Sequence, residues 1–89
     1  MCILSMNTIK NKYKDLTPIQ TINNIKNFFR SKKYITKIET KYHSKTNVYW
    51  CHIGLFINDH KIMESNGKGV TMLYALASGY AELYERFCA

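Results

Sequence analysis

The chain predicts an α+β domain: one helix, a three-stranded antiparallel sheet with a hairpin at its centre, and a C-terminal helix packed on the sheet. Three stretches carry that prediction. Thr17-Pro18-Ile19-Gln20 reads as a helix start, residues 48–57 form the strongest β-forming run, and residues 71–87 repeat apolar side chains at helical spacing. With 89 residues, the chain is expected to form a single small domain.

Residues 1–16 are rich in Lys and Asn without clear periodicity, and read as a loosely held lead-in. Thr17 then serves as N-cap, Pro18 takes the first helical position, and Gln20 completes a capping box. Ile22, Ile25 and Phe29 recur at helical spacing, giving an apolar stripe that fades near Arg30 to Lys33. Residues 34–40 (Y-I-T-K-I-E-T) alternate and are rich in β-formers, so they read as a half-exposed strand. Residues 43–47 form a polar loop.

The run 48–57 places Tyr49, Cys51, Ile53, Leu55 and Ile57 on one face and Val48, Trp50 and Phe56 on the other. Apolar residues on both faces predict a central strand covered on both sides. Trp50 is accordingly expected in the core. Asn58-Asp59-His60 suits a tight turn, because Asn and Asp tolerate positive φ, and residues 61–64 return as a short strand. The glycine-rich stretch Ser65-Asn66-Gly67-Lys68-Gly69-Val70-Thr71 reads as the bend into the last helix.

Thirteen basic against six acidic side chains give a net charge of +7, and the excess is concentrated early. Through Lys45 there are ten basic residues and two acids, a balance of +8 that would attract phosphates. An apolar content of 46% excludes an intrinsically disordered chain. Cys2, Cys51 and Cys88 are scattered and odd in number, which indicates neither a disulfide framework nor a zinc site and points to a reducing cytoplasm. No segment approaches the length of a membrane span or of a signal sequence.

On the last helix, Met72, Leu73, Leu76, Tyr80, Leu83 and Phe87 share one sector and should face the sheet. Thr71, Ser78, Glu82 and Glu85 share roughly the opposite sector. Two carboxylates beside the small residues Ala75, Ser78 and Gly79, with room for something to approach, suit a hard cation such as Mg2+ that bridges to nucleotide phosphates. The preceding glycine stretch invites comparison with a phosphate loop, but it is not a Walker A motif: Lys68 is followed by Gly69, and the earlier glycine is missing. Cys51 and His52 are adjacent in a strand, so their side chains diverge and cannot form a nucleophile–base pair.

Taken together, S-N-G-K-G-V-T, A-L-A-S-G-Y and E-L-Y-E-R-F resemble the N-terminal portion of the YcaO family. Asn47 to Ile53 and the T-P-x-x-T-I-x-x-I helix also look like that family, so the resemblance runs from about Lys14 nearly to the end. It implies an ATP- and Mg2+-dependent enzyme that activates backbone amides of ribosomally synthesised peptides. In the cyclodehydratase branch a Cys, Ser or Thr side chain of the peptide attacks the preceding amide. ATP phosphorylates the resulting oxygen, and loss of phosphate leaves an azoline, the precursor of thiazole and oxazole. Other branches make thioamides or amidines.

The resemblance further implies that Glu82 and Glu85 belong to the carboxylate set that holds metal and nucleotide. By position Lys14, Thr21 and Ser78 would be nucleotide contacts, and Arg86 would orient a carboxylate. Family members are far longer. The remaining ligands, the peptide-binding end and contacts to a leader-binding partner protein are therefore expected in a downstream portion not contained here, leaving this chain inactive alone. The rival reading is a small basic module that binds nucleic acid or an acidic partner without catalysis. The lack of basic residues interleaved with exposed aromatics does not favour nucleic acid.

Overall fold

The computed structural model describes residues 17–89, so the lead-in and Lys14 lie outside the described residues. Five elements follow in order: α1 (Pro18–Ser31), β1 (Ile35–His43), β2 (Val48–Ile57), β3 (His60–Gly69) and α2 (Met72–Cys88). The sheet is antiparallel in the order β1-β2-β3, with β2 central and both helices on one face. This is the α+β layer expected from the sequence.

Helix α1 starts where the capping signature places it. The Gln20 N–H donates to Thr17 Oγ1 at 3.2 Å and the Thr17 N–H donates to Gln20 Oε1 at 3.0 Å, satisfying two donors that the first turn would otherwise orphan. Thr17→Ala should therefore cost about 1 kcal/mol of stability, and Thr17→Gly less, as read by urea denaturation. At the other end Lys33 adopts φ 67°, its N–H bonds to the Arg30 carbonyl, and the Tyr34 N–H reaches back to the Phe29 carbonyl at 3.0 Å. That is a Schellman closure, and the Tyr34 and Phe29 rings supply its apolar contact, 6.3 Å between centroids.

Asn58 and Asp59 both have positive φ, 50° and 66°, so β2 and β3 are joined by the two-residue turn that matches strand twist. Cys51, Ile53 and Leu55 point from β2 to the helices and form the core with Ile25, Phe29, Ala75, Tyr80, Leu83 and Tyr84. Between α1 and α2 the rings of Phe28, Phe29, Tyr84 and Phe87 pack edge to face. Among the described residues no helix is long and apolar enough to cross a membrane.

Four expectations need correction. Strand β3 does not stop at Glu64 but continues through Gly69, with Gly67 paired to Cys51 and Gly69 to Tyr49. The glycine stretch is thus a strand and not a bend, and the chain turns only at Val70 and Thr71. The buried stripe of α2 is also rotated: Ala75 and Gly79 face the sheet while Leu73 is 46% exposed, because small residues admit the β3 backbone where leucine would not fit. Third, only one face of β2 is covered. Trp50, expected in the core, is 45% exposed because both helices pack on the other face, leaving it on the open face beside its cross-strand neighbours Lys41 and Lys68. Finally, Cys88 is disulfide-bonded, which the cysteine spacing did not indicate. Cys51 is a buried free thiol.

Candidate nucleotide and metal site

The glycine stretch and the helix bearing Ser78, Glu82 and Glu85 meet along the seam between β3 and α2. A Cβ on Gly67 would collide with the backbone of Ala75 and Gly79, lying 2.7 Å from the Gly79 Cα. Neither glycine has positive φ, so close approach, not backbone freedom, is what both positions require. Two buried side chains lock the seam by donating to helix carbonyls: Ser65 Oγ to Gly79 at 2.7 Å and Cys51 Sγ to Ala75 at 3.1 Å. Burial pushes the Cys51 thiol pKa up, so the group stays protonated and serves as a donor, not as a nucleophile.

On the solvent side of the seam Ser78 is exposed and lines a hollow of about 230 Å³ with Trp50, Asn66, Gly67 and Lys68. One turn on, Glu82 is half-exposed and accepts from Arg86 Nε at 3.2 Å, an i,i+4 pair. Arg86 Nη1 also donates to the Glu64 carbonyl at 2.9 Å, so the guanidinium ties α2 to β3 while fixing the Glu82 carboxylate. The orienting role expected of Arg86 has this geometry behind it.

Glu85 differs from Glu82, although the sequence places them on one sector. It is only 8% exposed and has no hydrogen-bond or ion-pair partner among the described residues. Among the described residues no buried side-chain nitrogen or oxygen lacks a hydrogen-bond partner, so the Glu85 carboxylate oxygens keep contact with water while the stem of the side chain is buried. No group of three or more His, Cys, Asp or Glu side chains among the described residues could hold a metal ion.

Thr21 sits on the buried stripe of α1 with Ile25 and Phe29, 5% exposed. Thr71 is committed to capping α2, its Oγ1 accepting from the Tyr74 N–H at 3.2 Å. Comparison with family models, curated proteins and solved structures returns no match for this chain. The functional reading therefore rests on the motif residues and their placement.

The open face of the sheet holds side chains that sequence reasoning passed over. His52 contacts Asn66 Oδ1 through Nδ1 and Glu64 Oε1 through Nε2, each at 2.8 Å, and Lys61 Nζ reaches the same Glu64 oxygen at 3.0 Å. The Lys61 hydrogen bond and charge, helped by His52, hold the Glu64 carboxyl below the usual carboxylate range. The strand alternation of His52, Glu64 and Asn66 could have shown that they share a face, but their pairing depends on register, which the single sequence leaves open.

Proposed function

We propose that this chain forms the N-terminal part of a YcaO-type enzyme that uses ATP and Mg2+ to activate backbone amides of a ribosomally synthesised peptide, giving azolines or the related thioamides and amidines. One observation carries the reading. The N-G-K-G segment and the helix bearing A-S-G-Y-A-E-L-Y-E-R are in backbone contact at Gly67 and Gly79. That contact sets Ser78 and Glu82 along one edge of β3.

In this reading Glu82 and Glu85 hold the metal through their carboxylates, and Arg86 keeps Glu82 turned toward it. Ser78, with Lys14 and Thr21, binds the nucleotide. When bound, ATP supplies the phosphoryl group that turns the amide oxygen into a leaving phosphate. The peptide-binding end and the remaining ligands belong to a downstream portion, and a leader-binding partner presents the peptide.

Calorimetric titration of Mg-ATP into the chain reunited with its downstream portion tests the assignment. The Glu82→Ala/Glu85→Ala pair should weaken binding at least about tenfold, as loss of metal-site carboxylates does. Equal affinity in wild type and double variant would refute it.

A further inference from the structure

The sheet face turned away from both helices carries an exposed indole between two lysines, an interleaving of basic and aromatic side chains that strand register creates and the linear sequence does not show. In register, Trp50 on β2 lies directly opposite Lys41 on β1 and Lys68 on β3. Neighbouring strands are about 5 Å apart, so a lysine starts within side-chain reach on each flank of the ring. Lys68 Nζ already lies 5.2 Å from the indole centroid. Hollows of about 320 and 310 Å³ open beside Trp50, one bordered by Glu39, Lys41, His52 and Asn66, the other by Val48 and Lys68.

Charge on this face is positive. Lys37 and Lys61 share it with Lys41 and Lys68, against Glu39 and a Glu64 already engaged by Lys61 and His52. An acidic peptide could use the lysines but would leave the indole idle. A nucleic-acid duplex offers phosphates but keeps its base faces stacked inside. A single strand offers both an open base face and phosphates on either side of it.

We propose that the open sheet face binds single-stranded nucleic acid, with one base stacked on Trp50 and the flanking phosphates taken by Lys41 and Lys68. The site uses neither Glu82 nor Glu85, although it meets the proposed nucleotide contact Ser78 at the hollow that Trp50 and Lys68 share with it. Lys68 is mounted on a flexible stem, and on binding it leaves the ring for a phosphate.

Trp50 is the only tryptophan, so its emission reports the event directly. Titrating the full chain with a 12-mer of oligo-dT in low salt should quench that emission. Anisotropy of a labelled 12-mer should show Trp50→Phe retaining most of the affinity and Trp50→Ala losing roughly five- to hundredfold. Lys41→Ala/Lys68→Ala should lower the slope of log K against log salt by about 1.4, two phosphates at about 0.7 each. Circular dichroism confirms that each variant is folded. Absence of quenching, an unchanged salt slope in the double lysine variant, equal affinity for polyglutamate or duplex, or equal affinity for a single mononucleotide would each overturn the proposal.

Discussion

Gly67→Ala should destabilise the protein by about 3 kcal/mol or more, through one added methyl group. The Cβ would be driven into the Ala75 carbonyl oxygen and the Gly79 nitrogen, and both are backbone atoms of α2. A backbone cannot rotate aside as a side chain does, so α2 must lift from β3 and drag Ser65 and Cys51 off the carbonyls they serve. Set against a typical total of about 5–15 kcal/mol, that loss leaves the domain marginal or unfolded. The other glycines calibrate the result. Gly69→Ala meets Tyr74 Cβ at 2.8 Å and the Ala75 nitrogen at 2.9 Å and should fall between, whereas Gly54→Ala meets the far end of the Phe56 ring, which can swing away, and should cost less than about 1 kcal/mol. Urea denaturation of the three variants checks the order; equal midpoints for Gly67→Ala and Gly54→Ala would mean that the close approach of α2 to β3 is absent.

The same contact explains which parts of the structure were readable in advance. Caps and turns were legible because their chemistry is local: Thr17 and Gln20 fix the start of α1, and Asn58 and Asp59 accept positive φ. The glycine stretch was not. A glycine that bends the chain and a glycine that admits another backbone look alike in one dimension, and only the position of Gly79 across the seam tells them apart. Trp50 was misplaced for a related reason: alternation shows which residues share a face, but not whether anything covers that face. For the candidate site, helical spacing grouped Ser78, Glu82 and Glu85 and also puts Arg86 one turn from Glu82, whereas the greater burial of Glu85 arises from tertiary packing.

The motif residues thereby acquire distinct physical tasks. Gly67, Gly79, Ser65 and Cys51 set the separation of α2 from β3, and Arg86 sets the angle of Glu82 against the same strand. A seam this tight lets α2 shift little, so Ser78 and Glu82 are carried on a rigid support, as a precise ligand geometry requires.

Phe29→Ala should cost about 3–5 kcal/mol, the range for deleting a buried phenyl ring. Phe29 is 1% exposed and its ring contacts those of Phe28, Tyr34, Tyr84 and Phe87 at centroid distances from 5.3 to 6.5 Å. Helix α1 makes few contacts with β1, so this aromatic cluster and Ile25 are what fasten it to α2. Removing the ring also strips the apolar contact from the Schellman closure that turns α1 into β1. For a domain of this size the loss corresponds to a fall in Tm of more than about 12 °C. Phe29→Leu should lose less, since leucine refills part of the space. Thermal unfolding followed by circular dichroism measures both, and a shift below about 4 °C for Phe29→Ala would show that α1 is not held by this cluster.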